Sequence, residues 1–503
     1  MNNILVAWST RSGLFLFLAA LFALPASATS FLVQCPNSTP LNPLVNAYGV
    51  SGQVDSTLPN PNIKCQEISG GDGYATMGDG HQIYLFGFGP LSGLADISAG
   101  LPGTQPASVF NNATDPNAAK SFPQDIMNTG VLFANQPAPL MAIDEGDEFF
   151  LTMSNVGMIM RPDLFEQHTV HFHGYPNASS YFDGVPDASV AIAIAGSMTY
   201  YYTAPDAGTY FWHCHITPPE HLQMGMVGQL YVRPRQNKVP DGADIGAALK
   251  QANLAAPGAT DGVHCSDILC SGQTPLPLSA QKSQSGNSGV VQPVGGAKYA
   301  YNDGDGSTRY DVEYPVQMMD FDPNFHFVGM TFNPEAFADM KSKYFMLSGR
   351  SYPDTVNTNV VNTGVDAAGN PVPNGPMHTL DADGVSRPSQ PLPTMIAINK
   401  SAGQTRALLR ISDLSVTEFA TLATIGIPMK VIAINARLLR DMAGNNMYYD
   451  TNSITMGGGE SMDVILDATN IPLGTYFLYS TNLDHLSNDA ENFGGMMTEI
   501  VVQ

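Results

Sequence analysis

Basic residues are scarce in this chain: 21 lysines and arginines stand against 44 aspartates and glutamates among 503 residues, a formal net charge of −23. That deficit excludes a phosphate-backbone binder or a protein held by charge to anionic membranes, and it leaves a surface that attracts cations. Long apolar runs are missing too. Leu14 to Leu24 comes nearest, and it is about half of the roughly 20 residues that a spanning helix needs. With Arg11 before it and Ala26-Ser27-Ala28 after it, this run reads as the core of a signal peptide, residues 1–28, cleaved after Ala28. The expected mature protein is exported, periplasmic or extracellular, with no membrane span.

Cysteine is also sparse, at 5, and an odd number in an oxidising compartment leaves one thiol over. Cys35 with Cys65 and Cys265 with Cys270 are the expected disulfides. A metal site at His264, Cys265 and Cys270 has too few donors for a closed tetrahedral set. Cys214 remains, between two histidines. The 24 methionines suit ordinary core filling as well as soft-metal handling, and only Met226 has a spacing that gives it a role.

Single cores stop growing well short of this length, so two or three domains are expected. Segments such as Glu148 to Met153, Met198 to Thr203 and Met462 to Leu466 alternate or are rich in β-branched and aromatic residues between turn signals. The expected fold is all-β, two antiparallel sandwiches with little helix. Residues 29–129 read as a Gly/Pro-rich N-terminal region partly leading into the first sandwich, 130–235 as the first domain, 236–310 as a Ser/Gly/Gln-rich linker, and 311–503 as the second domain. A weak repeat joins the halves: Gly208-Thr-Tyr-Phe211 recurs as Gly474-Thr-Tyr-Phe477, and Gly225-Met226 before one closing strand recurs as Gly495-Met496 before the other.

Six of the 11 histidines lie between positions 168 and 221, in His168-Thr-Val-His171-Phe-His173-Gly174 and in His213-Cys214-His215, followed by His221-Leu-Gln-Met-Gly-Met226. Side chains alternate across a strand, so His171 and His173 share a face and His168 takes the other, while His213 and His215 share a face opposite Cys214. If the strands pair, His168 meets Cys214 on one side and four imidazoles gather on the other. Two imidazoles, a thiolate and a weak axial thioether, here His168, His221, Cys214 and Met226, make the donor set of a blue-copper centre. A metal-bound thiolate also explains an unpaired cysteine in an exported chain.

These motifs resemble those of the last domain of the multicopper oxidases, the family of laccases, ascorbate oxidase and ceruloplasmin. Asp183-Gly-Val-Pro186, Gly208-Thr-Tyr-Phe-Trp212, Leu347-Ser-Gly-Arg-Ser-Tyr-Pro353 and Gly426-Ile-Pro-Met-Lys-Val-Ile432 extend the resemblance, strongly over 130–235 and moderately over 340–503. It implies two cupredoxin-like Greek-key β-sandwich domains, and type 1 copper at His168, Cys214, His221 and Met226. It further implies a type 2 ligand at His171 and type 3 ligands at His173, His213 and His215. Two departures stand out. Ile216 to Glu220 puts five residues where the family has three, and the trinuclear cluster of the family uses eight histidines where this chain offers four. Tyr479-Ser480-Thr481 replaces the His-Cys-His, and Glu491 stands five residues before Met496, so the second domain reads as having lost its copper ligands.

The implied function is a copper-dependent oxidoreductase that takes single electrons from a metal ion or phenol and delivers them to O2, the catalytic histidines being His171, His173, His213 and His215. A homotrimer or a partner chain would complete the cluster. His81, His264, His326, His378 and His485 are isolated, with His485 and His326 the best of these for a site across a subunit boundary. Two other readings stand beside this one. A copper nitrite reductase would carry an acidic residue where His171 stands and a small one where His215 stands. A blue-copper electron carrier would leave the four other histidines without catalytic work.

Overall fold

The computed structural model describes residues 31–175, 179–254, 289–329, 336–357, 388–441 and 443–503. Its architecture is two β-sandwiches. In the first, β1 (Ile63–Thr76), β2 (Gln82–Pro90), β4 (Glu148–Gly157) and β6 (Ser197–Thr203) form one sheet in the order β2-β1-β4-β6. The facing sheet runs β3-β8-β7-β5, from Met141–Asp144, Val227–Arg233, Gly208–His213 and His171–His173. Strand β6, Ser197-Met-Thr-Tyr-Tyr-Tyr-Thr203, shows the cause in its sequence: Met198, Tyr200 and Tyr202 are buried and alternate with more exposed neighbours, the period-2 pattern of a strand with one face on a core. Between the sheets lie Phe86, Phe149, Leu151, Phe172, Tyr200, Trp212 and Leu230, all buried.

The second sandwich repeats this plan. Its sheets run β10-β9-β12-β15-β14, from Tyr344–Leu347, Val312–Phe321, Arg406–Asp413, Glu460–Asp467 and Met429–Ile434, and β11-β17-β16-β13, from Ile396–Ile398, Met497–Val502, Gly474–Ser480 and Ala420–Ile425. The parallel pairs β1/β4 and β3/β8 of the first half recur as β9/β12 and β11/β17. The register recurs as well, with Gly208 opposite Val232 and Gly474 opposite Val502. All-β, two cupredoxin-like sandwiches, is therefore the fold, and the short sequence repeat marks a repeat of the whole architecture.

Two boundaries differ from the sequence reading. Strands β1 and β2 lie within residues 29–129, yet they are central to the first sandwich. Their glycines sit in strands where another backbone comes close. A Cβ on Gly87 would lie 2.8 Å from Ala134, and one on Gly89 2.5 Å from the Phe133 carbonyl. The stretch 236–310 is more than a linker in its described part. It holds a helix, Ile245–Leu254, and a two-stranded ribbon, Lys298–Tyr299 with Arg309–Tyr310, braced by the buried Asp303 carboxylate, which accepts from Gln236, Gly306 and Thr308. Cys35 and Cys65 form a disulfide; Cys265 and Cys270 lie outside the described residues.

The sandwiches meet through a buried ionic cluster. The Arg410 guanidinium on β12 is fully buried, 3.0 Å from Glu313 and 3.9 Å from Asp463, and lies over the Tyr231 ring of β8 at 4.6 Å. Asp463 accepts from the Thr209 hydroxyl of β7 at 2.5 Å, and Gln229 of β8 donates to the Arg410 carbonyl at 2.8 Å. Burial raises the Glu313 carboxyl, but the Arg410 and Arg233 charges outweigh it and hold it below its ordinary value. Breaking a buried pair leaves an uncompensated charge, so Arg410→Ala should cost about 3–5 kcal/mol of unfolding free energy. Urea unfolding followed by circular dichroism measures this; a loss within the error of an exposed-site control would show that the cluster carries no stability.

Candidate metal centre

Cys214 is the first residue beyond β7, and its N–H donates to the Met226 carbonyl at 3.2 Å, which closes the intervening segment into a tight loop. Pro218 and Pro219 open the short helix α1 (Pro218–Gln223), whose first turn tolerates residues without an N–H. The Met226 N–H donates to the His221 carbonyl at 2.8 Å, fixing the two returning side chains relative to each other. His168 enters from the segment after β4, tied by paired backbone hydrogen bonds to Ile192. His168, Cys214, His221, Met224 and Met226 are all fully buried.

The Nδ1 atom of His221 is 3.2 Å from the Cys214 Sγ, that of His168 is 4.0 Å away, and the Thr169 N–H donates to the sulfur at 3.4 Å. One ligand atom from each of His168, Cys214 and His221 lies within 4.8 Å of the others. Burial pushes the Cys214 thiol up, but the charge on His221 and hydrogen bonds from both imidazoles more than reverse this, so it ionises well below the ordinary thiol range. For His221, burial works against the proton, while the Cys214 charge and Glu166 hold it and push the group up to about 10. The His168 imidazole is driven down by burial and stays neutral. A thiolate, a neutral imidazole and an imidazole that must surrender a proton make a cation cradle, and the donor types fit copper.

Sequence reading missed two residues that shape this cradle. Gly70 on β1 lies under the His168 ring, where a Cβ would come within 2.9 Å of Cδ2 and 3.3 Å of Cγ. Glu166 places a carboxylate oxygen 3.6 Å from His221 Nε2, and its own side chain is 26% exposed, so it links the buried ring to solvent. Only the two-residue offset from His168 hinted at Glu166.

The other histidines gather on the opposite side. His171 and His213 are directly opposed between β5 and β7, and the His171 ring centroid lies 5.8, 5.2 and 5.1 Å from those of His173, His213 and His215. One nitrogen each of His171, His173 and His213 lies within 4.8 Å of the others. Partners outside the group orient the rings, His171 Nδ1 meeting the Asp183 carbonyl at 2.7 Å and His213 Nδ1 the Cys214 carbonyl at 2.8 Å. Burial drives the His213 imidazole down to about 3 and lowers His173 as well. His173 Nδ1 and His213 Nε2 face each other at 3.5 Å, and the neutral form of these two rings is the one that can hold a metal. The second sandwich borders this face, since a Cβ on Gly459 would sit 3.7 Å from the His173 ring.

Two expectations are corrected. The residue standing where His221 stands in the first half is His485. Met496 donates to the His485 carbonyl at 2.7 Å as Met226 does to His221, and Ser480 donates to the Met496 carbonyl at 2.9 Å as Cys214 does to Met226. Residues between His485 and Met496 lengthen this loop, so counting back from Met496 lands on Glu491. The cysteine position holds Ser480, and by the strand register Ala420 stands where His168 does. His326 is not free to reach another subunit, whereas His485 lines a surface cavity with Asp484 and Ser487. His326 is buried, with both ring nitrogens on the Tyr84 and Gln223 carbonyls, and His485 is buried and stacked on Phe345. His264 and His378 lie outside the described residues, and His81 is exposed beside Asp79.

Residues 119–237 match the multicopper oxidase family. The multicopper oxidase MCE of Talaromyces pinophilus is 31% identical over 140 residues, 27% of this chain and 22% of that protein. The laccase abr2 of Aspergillus fumigatus is 33% identical over 125 residues, 23% of this chain and 20% of that one. The chain thus matches about a fifth of the length of these curated relatives. Among solved structures, the multicopper oxidase mgLAC aligns with a TM-score of 0.49 at 15% identity, over 87% of this chain and 86% of that one. The blue copper oxidase of Nitrosomonas europaea aligns at 0.48 and 17%, over 87% and 85%.

The close fit of Gly70 under His168 gives a direct test of the cradle. Cobalt(II) bound to the wild-type chain should show thiolate-to-metal absorption that Cys214→Ser removes. Gly70→Ala, which displaces the His168 ring, should weaken cobalt affinity about tenfold, about 1.4 kcal/mol. Titration with unchanged affinity in Gly70→Ala would mean that His168 is not a ligand.

Proposed function

We propose that this chain, which carries a multicopper oxidase domain in residues 119–237, is an exported copper-dependent oxidase that takes single electrons from a small reductant and delivers them to O2. His168, Cys214, His221 and Met226 would hold a type 1 copper, and His171, His173, His213 and His215 the copper that meets O2. The observation that carries this reading is the placement of three consecutive residues. Cys214 is buried in one cradle, while its neighbours His213 and His215 belong to the imidazole face on the other side. Bound copper supplies one-electron redox chemistry at both places.

The chain's own residues divide the remaining work. Glu166, held below its ordinary value by its pairing with His221 despite partial burial, presents an ionised carboxylate at the solvent side of the buried ring. It favours cationic donors such as a reduced metal ion, in keeping with the net charge of −23. Continuous covalent structure from the Cys214 sulfur through the backbone to both flanking imidazoles gives electrons a short path between the sites. The Asp183 and Cys214 carbonyls keep the His171 and His213 ring nitrogens that face the metal unprotonated. Export is supported by the Cys35–Cys65 disulfide, and no helix among the described residues is long and apolar enough to cross a membrane.

A second reading, a blue-copper electron carrier without oxidase activity, is favoured by one observation. Four imidazoles supply half of a trinuclear ligand set, and His326 and His485 are buried elsewhere. On the oxidase reading the missing ligands come from a second copy or a partner chain. Copper analysis with optical and EPR spectra separates the two. The oxidase should bind more than one copper per chain and be blue, and Cys214→Ser should lose the blue absorption. His173→Ala with His215→Ala should abolish O2 consumption and keep the colour, because those rings lie away from the sulfur. One copper per chain with no O2 consumption in any assembly state selects the carrier.

The axial position is tested separately. Met226→Leu should raise the type 1 reduction potential with the blue colour kept, since a weak sulfur donor favours the oxidised metal. Met224→Leu should leave the potential where it is. The opposite result would make Met224 the axial ligand.

A further inference from the structure

A ladder of aromatic rings leads from the surface to His221. On β2, Tyr84 and Phe86 are two residues apart and share a face, and Tyr84 is directly opposite Tyr74 of β1. The ring centroids step 5.8 Å from Tyr74 to Tyr84, 5.8 Å from Tyr84 to Phe86, and 5.9 Å from Phe86 to His221. Tyr74 is partly exposed, while Tyr84 and Phe86 are buried. Core packing explains the rings but not the hydroxyl at position 84, where phenylalanine would fill the space. That hydroxyl donates to Asp72 Oδ2 at 3.2 Å, and Asp72 is a fully buried carboxylate on the adjacent strand. Asp72 also accepts from the Met160 N–H at 2.8 Å, which accounts for a carboxylate on β1 but leaves the Tyr84 hydroxyl as a separate feature.

We propose that Tyr84, coupled to Asp72 and joined through Phe86 to His221, is a redox relay that passes single electrons from donors at Tyr74 to the metal held by His221. This rests on the reading of His221 as a copper ligand. Tyr84 gives one electron through Phe86 and His221 to cupric copper, which becomes cuprous, and the phenol O–H proton moves to Asp72 Oδ2. The neutral phenoxyl then takes one electron, by way of Tyr74, from an external one-electron donor, and the proton returns from Asp72. The net change is one electron lost by the donor and one gained by copper. A phenol that loses an electron becomes a strong acid, so the step needs a base already in place, and Asp72 is at hydrogen-bond distance. Burial makes Asp72 a better base than an exposed aspartate, against the hydrogen bonds it accepts from Met160 and Tyr84. The relay gives the copper an entrance through Tyr74 in addition to the one at Glu166.

The test uses the copper-loaded, reduced protein with a ruthenium polypyridyl photo-oxidant coordinated to His81, whose side chain is 71% exposed on the turn of the same hairpin. His264 and His378 are replaced by glutamine, and a His81→Gln control, still carrying the exposed His173 and the partly exposed His171 and His215, must show no flash-induced growth. After a flash, removal of an electron from copper through the ladder appears as growth of the blue absorption. In the wild type a phenoxyl absorption should rise and then decay as the blue band grows. Tyr84→Phe should abolish the phenoxyl signal and slow the growth by an order of magnitude or more, with the static blue and EPR spectra unchanged. Phe86→Leu should slow the growth while the phenoxyl persists longer. Growth as fast as wild type in both variants overturns the relay. A wild type that is never blue overturns the copper reading itself.

Discussion

A thiolate removed from water must be met by positive charge, and the first sandwich is organised around that requirement at Cys214. The sulfur sits among two imidazoles and one backbone N–H, with no solvent, so the neighbourhood must supply what water would have given. Each supporting feature serves the same end. Backbone bonds from Cys214 and Met226 close the loop around the sulfur, Gly70 leaves room for the His168 ring, and Glu166 faces the far edge of His221. Without a cation, His221 must keep a proton to balance the sulfur. With one, that proton leaves, so metal uptake and proton release at this cradle are one event.

Much of this was legible in the sequence because a strand converts spacing into sidedness with no other information. His171, His173, His213 and His215 fell on one face, and Cys214 on the other, as alternation requires. Where chain direction is not set by alternation, the reading failed. The loop before Met496 is longer than its counterpart before Met226, so counting residues chose Glu491, while the backbone hydrogen bonds choose His485. The Gly/Pro-rich composition of residues 29–129 was ambiguous in a similar way. A missing side chain signals a turn or the close approach of another strand equally well, and only the fold decides. Asp72 carried no local signal and Glu166 only its nearness to His168, because their meaning depends on what lies across the core.

The second sandwich preserves the backbone of the cradle better than its donors. Ser480, His485 and Met496 keep the three hydrogen-bonded positions, and His485 lies flat on Phe345 at 4.0 Å, whereas the Phe86 ring meets His221 edge-on at 5.9 Å. The stacking orients the His485 ring but leaves its buried Nδ1 without a hydrogen-bond partner among the described residues. The remaining donor-bearing face, on the first sandwich, abuts Gly459 of the second, so the half that has no such donors still forms a wall beside the half that has them.

The ionic cluster at the junction ties that half to the first. Arg410, Glu313 and Asp463 all sit on strands of the second sandwich, and Thr209, Gln229 and Tyr231 of the first cover them, so separating the halves would bare buried charge along β7 and β8. Those are the strands that lead into and out of the Cys214 loop. Loss of the second sandwich would therefore uncover the very strands that hold the Cys214 loop in place.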